Sequence, residues 1–171
     1  MYMVSFYGVY TFIGKFVQVE LNTSLSQSGF VVLAYGAGFG LGSIVGKILD
    51  RISPLIAIKY ILFLLAGVYF LLIAVSDSFL GIIFVCFIWG TINHLGLNNL
   101  VSILSKIGKP CRVRMMGLFS VVSYGGTMVA AITFGLIYEA FSFLHVLSIA
   151  AILCATSAFL CLLFLDNQKI N

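Results

Sequence analysis

Charge is what this sequence has least of. Its 171 residues include nine Lys or Arg and five Asp or Glu, 8% in all, while 62% are hydrophobic. Soluble domains carry about 25% charged residues. So little polar surface cannot clothe a globule of this size in water, which excludes a soluble enzyme or binding domain. Proline is scarce too, at two residues, Pro54 and Pro110, so helices can run long without interruption. The opening "MYMVSFYGVYTF" lacks a basic n-region and a small-residue cleavage site, so the first apolar stretch is read as a retained span rather than a secretory signal. Cys86, Cys111, Cys154 and Cys161 form no C-x-x-C pair, which speaks against a zinc or redox motif. Three of them sit in apolar runs and read as packing. Also missing are G-x-S-G, H-E-x-x-H, paired aspartates, N-P-A and the P-loop. Catalysis is not expected, nor is a metal, a cofactor or a nucleic-acid partner.

What is present is a series of long apolar runs. A helix crosses the hydrocarbon of a bilayer with about 20 apolar residues. Six segments meet that need, at about 4–21, 29–49, 55–76, 79–104, 115–138 and 143–165, within one domain of 1–171. The connections carry turn and breaker residues: "LNTSLSQSG", "DRISP", "SDS", "SKIGKPCRVR" and "EAFS". No alternating segments of about ten residues suggest a barrel. The fold class is an all-α membrane protein, a bundle of six transmembrane helices.

The basic residues divide unevenly between the two ends of these spans. Lys47, Arg51 and Lys59 flank the second connection, Lys106, Lys109, Arg112 and Arg114 lie in the fourth, and Lys169 lies in the tail. The other connections hold Glu20, Asp77 and Glu139. The positive-inside rule assigns the basic side to the cytoplasm. Both termini are then cytoplasmic, and the expected location is the cell (inner) membrane. The exception is Lys15, inside the first span. It reads either as a side chain snorkelling to the outer interface near Glu20 or as a charge lining a cavity.

Two spans are more polar than contact with lipid explains. In the first, Tyr7, Thr11, Gly14 and Gln18 follow i, i+4, i+7, i+11 and share a face, with Tyr10 and Lys15 beside them. In the fourth come Trp89, Asn93 and His94, then Asn98, Asn99 and Ser102. Such side chains face protein or water. They line a solute cavity or hydrogen-bond helix to helix, and His94 adds a group able to titrate near neutral pH. The substrate-cavity candidates are Tyr7, Thr11, Lys15, Gln18, Trp89, Asn93, His94 and Asn98. Glycine marks the second span (Gly36, Gly38, Gly40, Gly42, Gly46) and the fifth (Gly117, Gly125, Gly126, Gly135), where helices can approach closely. The third and sixth are almost wholly apolar and read as outer, lipid-facing spans. Polar, glycine-rich and apolar spans thus recur in the same order, as a three-plus-three repeat would.

Gly46-Lys-Ile-Leu-Asp50-Arg51 resembles the G-x-x-x-D-R-x-G-R-[RK] signature of the major facilitator superfamily, which lies between the second and third helices of each six-helix half. It departs from that signature at Ser53, in place of the second glycine, and at Pro54 and Leu55, in place of the basic pair. The fifth span, "GLFSVVSYGGTMVAAITFGLIYEAF", resembles the eleventh helix of drug-efflux-type members and lacks the G-P dipeptide of the antiporter motif. The resemblance covers the whole chain. It implies half of a twelve-helix facilitator fold, the C-terminal one, moving a small-molecule solute by alternating access. It implies that the first and fourth spans line the cavity. It also makes Gly46, Asp50 and Arg51 a gating motif, with Asp50 latched near the positive end of a helix in the opposite half. The expected partners are the lipid bilayer, the solute, and an N-terminal half or a second copy. A solvated Asp50-Arg51 loop that only fixes topology is the plainer alternative. The rival to transport is a truncated, non-transporting membrane bundle or an interaction subunit.

Overall fold

The computed structural model describes residues 1–49, 52–107 and 112–165. The motif residues Asp50 and Arg51, the loop residues Lys109 and Cys111, and the tail with Lys169 lie outside the described residues. Among the described residues the chain is all helix: α1 (Tyr2–Glu20), α2 (Leu25–Leu49), α3 (Pro54–Ala74), α4 (Phe79–Ile107), α5 (Arg112–Ala140) and α6 (Phe143–Leu165). Five of them, α2 to α6, are long and apolar enough to cross a membrane. The sixth, α1, falls short of that measure because its 19 residues include Lys15, Gln18 and several hydroxyls. It still rises about 28 Å, close to a hydrocarbon thickness of about 30 Å.

Local chemistry sets the helix ends. Asn22, just past α1, takes the left-handed conformation at φ 49°, which asparagine adopts more readily than most side chains at a helix stop. Ser24 and Gln27 form a reciprocal capping box. The Ser24 amide donates to Gln27 Oε1 at 2.8 Å and the Gln27 amide donates to Ser24 Oγ at 3.2 Å. Pro54 occupies the first turn of α3, where its missing N–H has no cost. The Gly81 amide donates to Ser78 Oγ at 3.2 Å and starts α4.

The helices pack across the repeat boundary. α2 lies along α4, α3 lies along α6 and α4, and α1 lies along α5 and α6. Exchange α1 with α4, α2 with α5 and α3 with α6, and α1–α5 maps onto α4–α2, α1–α6 onto α4–α3, and α3–α6 onto itself. The first helix of each three-helix unit is therefore held by the second and third helices of the other. The core lies at this junction, around Trp89, Tyr69, Val9, Val17, Leu65 and Val146.

The burial of α3 corrects one expectation. Of its most apolar stretch 56% is buried inside the bundle, against 6% for α5. α3 sinks Ile61, Leu65, Val68 and Leu72 into the core and turns Tyr60, Phe63 and Phe70 outward. Apolar composition could not locate it, because a protein interior and lipid tails are equally apolar surroundings. Among the described side chains of α5 only Ala130 and Phe134 are buried, while residues such as Val121, Val122 and Ile132 stand exposed.

The glycine ladder of α2 divides into two faces. A methyl group added at Gly38 would overlap the Phe87 carbonyl, and one at Gly42 would stand 2.6 Å from His94 Cβ. From the α4 side, one at Gly90 would overlap the Tyr35 carbonyl. The two backbones therefore touch, and Thr91 Oγ1 donates across the contact to the Gly38 carbonyl at 3.0 Å. Gly29, Gly36 and Gly40 face the other way, with no atom within 4 Å of an added methyl. α5 repeats the division. Gly126 meets Met3 and Gly135 meets Phe12, while Gly117 and Gly125 face open space.

Candidate functional site

The polar faces of α1 and α4 are joined by aromatic rings, of which Phe6, Tyr35 and Phe39 were not singled out in the sequence. From Tyr7 the band runs to Phe6 (ring centroids 4.6 Å), Tyr10 (5.5 Å), Tyr35 (5.0 Å), Phe39 (6.1 Å) and His94 (4.6 Å, edge-on). Trp89 closes it from behind, edge-on to Tyr35 at 4.9 Å and to Phe6 at 5.8 Å. Such tilted and edge-on pairs are the favoured aromatic geometries. Tyr35 and Phe39 sit one turn apart on the α2 face that carries Gly38 and Gly42. Their i, i+4 spacing was the signal that could have found them.

Trp89 and Asn93 are fully buried behind this band. Asn93 links three helices. Its Nδ2 donates to the Tyr35 hydroxyl at 2.7 Å, and its Oδ1 and backbone carbonyl accept from the Tyr2 hydroxyl at 2.6 and 3.1 Å. His94 is half-buried, with Nδ1 buried and making no hydrogen bond. Asn99 is buried, and its Nδ2 donates to the Pro54 carbonyl at 2.7 Å, tying α4 to the start of α3.

On α1, Thr11 and Lys15 are exposed, Tyr7 and Gln18 are half-buried, and Gly14 has no neighbour within 4 Å of an added methyl. The Lys15 ammonium stands 5.0 Å from the centre of the Tyr138 ring, a cation–π contact with the end of α5. Gln18 Nε2 donates to Ser28 Oγ at 2.8 Å and fastens α1 to the first turn of α2. The eight candidates therefore separate. Tyr7, Thr11, Lys15 and Asn98 face outward at least in part, Trp89 and Asn93 support them from inside, Gln18 ties two helices, and His94 ends the aromatic band.

Toward the basic ends of the spans, Asn98 and Ser102 line a cleft of about 50 Å³ with Gly46, Pro54, Asn99 and Lys106. Gly46 is the described residue of the stretch that resembles the facilitator signature. Between α1, α4 and α5 lie two larger spaces. One, of about 430 Å³, is lined by Met1, Met3, Leu104, Met115, Leu118 and other apolar groups. The adjoining one, of about 190 Å³, is lined by Phe6, Tyr7, Phe119, Tyr124, Ser120 and Ser123 among others.

No family model matches the chain, and no solved structure matches it. Among curated proteins, the Uncharacterized MFS-type transporter YwfA of Bacillus subtilis (strain 168) is 33% identical over 145 residues, covering 82% of this chain and 34% of that protein. That likeness supports membership in the major facilitator superfamily. The chain spans about a third of the length of this facilitator relative. Together with the bundle of apolar helices, the likeness supports an integral membrane protein of the facilitator type.

The outward faces of α1 and α4 carry a direct prediction. Thr11→Cys and Asn98→Cys will react with a water-soluble maleimide. Leu64→Cys, exposed on the apolar side of α3, will not, and neither will Asn93→Cys, sealed in the core. Equal reactivity at Thr11 and Leu64 would remove the lining role.

Proposed function

We propose that this chain is the C-terminal-like half of a secondary transporter that moves a small solute by alternating access against a second half. The supporting observation is the pair of unoccupied glycine faces, Gly29, Gly36 and Gly40 on α2 and Gly117 and Gly125 on α5. Glycine costs about 1 kcal/mol of helix propensity relative to alanine and has no packing return against fluid lipid. Its use between spans is close helix approach. α2 and α5 already employ one glycine face each inside the bundle, and the second face suits another set of helices. The relative's length, about three times the matched segment, accommodates such a second half. In this reading one bundle rocks against the other, Tyr7, Thr11, Lys15 and Asn98 line the path, and Trp89, Asn93 and His94 shape its wall. The proposed direction is outward, as in the efflux members that α5 resembles.

Cysteines at Gly36 and Gly117 test the partnership in native membranes. Crosslinks to another polypeptide or to a second copy are expected. A chain that stays uncrosslinked and alone yet moves a solute would refute the half-transporter reading. Crosslinks without any solute movement in the assembled complex would instead favour an interaction subunit. In a transporting complex, Asp50→Asn will slow transport more than Lys59→Gln if Gly46, Asp50 and Arg51 act as the latch. For orientation in the cell membrane, Cys111 will react with an impermeant thiol reagent in inside-out vesicles and not in intact cells. The opposite result would invert the proposed cytoplasmic placement of the termini.

A further inference from the structure

The space between α1, α4 and α5 has a chemistry that the facilitator likeness does not specify. Its smaller chamber, about 190 Å³ and open beside the exposed Tyr124, places Phe6 and Tyr7 of α1 near Phe119 and Tyr124 of α5. Apolar cavities of about 150 Å³ accept a benzene ring. The adjoining groove of about 430 Å³ shares Met3, Phe119 and Ser123 with the chamber. Methionine there adapts to varied apolar shapes. Among the described residues no Asp, Glu, Lys or Arg side chain lines either space. A charged solute in the chamber would lose hydration without a counter-charge.

Two serines set the polar requirement. Ser123 Oγ donates its only proton to the Phe119 carbonyl at 2.7 Å, and Ser120 Oγ donates to the Met116 carbonyl at 3.1 Å. A hydroxyl has one proton and two lone pairs. With the proton committed to its own helix, each serine offers a solute only an acceptor. The two serines thus add acceptors to the ring surfaces and to the Tyr7 and Tyr124 hydroxyls, and among the described residues no charged side chain joins them.

We propose that this chamber holds the solute of the half-transporter reading, on which its physiological meaning rests, and that the solute is an uncharged aromatic molecule bearing a hydrogen-bond donor, such as a phenol or an aryl amine. The ring packs among Phe6, Tyr7, Phe119 and Tyr124, and the donor reaches Ser123. A lipid acyl chain would use the apolar groove but would leave the acceptors unused.

The test measures binding to the full chain in lipid nanodiscs, so its outcome is separate from that of the crosslinking experiment. Three probes share one ring system: 2-naphthol with a donor, 2-methoxynaphthalene without one, and naphthalene-2-sulfonate with a charge. Saturable binding is expected, with 2-naphthol roughly fivefold tighter than 2-methoxynaphthalene, the size of one neutral hydrogen bond. The sulfonate is expected to bind more than tenfold more weakly. Ser123→Ala, which preserves the helix, will remove the advantage of 2-naphthol and leave the methoxy probe unchanged. The wild-type comparison alone decides if that variant fails to fold. Equal affinity for the first two probes, or tightest binding of the sulfonate, would overturn the proposal. So would the absence of saturable binding, with a spin-labelled stearate found against a label at Phe119→Cys, which would assign the groove to lipid.

Discussion

Gly38→Leu and Gly90→Leu will leave little folded protein, whereas Gly36→Leu and Gly40→Leu will leave the isolated chain almost unchanged. All four are glycines in membrane-spanning helices, and composition does not distinguish them. A side chain at Gly38 runs into the Phe87 carbonyl, and one at Gly90 runs into the Tyr35 carbonyl. Neither obstacle is a flexible side-chain end. Overpacking costs typically about 1–3 kcal/mol when side chains can give way. Here whole helices must separate, breaking the Thr91 bond to Gly38 and the ring contacts of Tyr35 and Phe39, so the loss will exceed about 3 kcal/mol. At Gly36 and Gly40 the added atoms meet nothing within 4 Å, and the change will stay within about 0.5 kcal/mol. Unfolding in mixed micelles read by circular dichroism measures both. Equal destabilisation across the four positions would refute the division of α2 into a used and an unused face. Gly40→Leu, tolerated by the chain alone, will weaken crosslinking to the proposed second half.

Asn93→Leu is the second substitution with a large expected cost. The amide serves Tyr35 and Tyr2 in a site without water access. Leucine takes the side-chain partner from both tyrosine hydroxyls and leaves Tyr2 only the longer bond to the backbone carbonyl of residue 93; a buried hydroxyl that loses its partner costs about 1–3 kcal/mol. A loss of roughly 2–4 kcal/mol is expected, read by the same unfolding experiment. The triple variant Tyr2→Phe, Asn93→Leu, Tyr35→Phe removes both sides of each bond and will regain most of that loss. If Asn93→Leu unfolds at the wild-type midpoint, the network does not hold the three helices together.

The six helices were legible because hydrophobic length alone is a strong signal in a bilayer, and the polar faces of α1 and α4 were legible because hydroxyls and amides are rare in such surroundings. The place of α3 was not, since leucine and isoleucine satisfy a core and a lipid face equally well. The role of Asn93 was left between lining and bonding, because sequence gives its helix face but not the tyrosines across from it. Tyr35, Phe39, Phe119 and Tyr124 escaped notice because apolar rings raise no contrast in an apolar chain. The two glycine faces of α2 were within reach: steps of two turn a helix by 200°, so Gly36 and Gly40 must oppose Gly38 and Gly42.

The crossing of the two three-helix units has a consequence for synthesis. α1 rests chiefly on α5 and α6, and about ninety residues separate its end at Glu20 from the start of α5 at Arg112. Ribosomes add about 5–20 residues per second, so α1 waits on the order of 5–20 s for its neighbours. It is also the helix that apolarity alone commits least to the bilayer, and it carries Lys15. During that interval Lys15 has no Tyr138 ring beneath it, and Gly8 has no Phe134 ring against it. α1 therefore remains a provisional guest at the insertion machinery until α5 has been made, and slow codons or stalls before Arg112 would prolong the period in which it can slip back out.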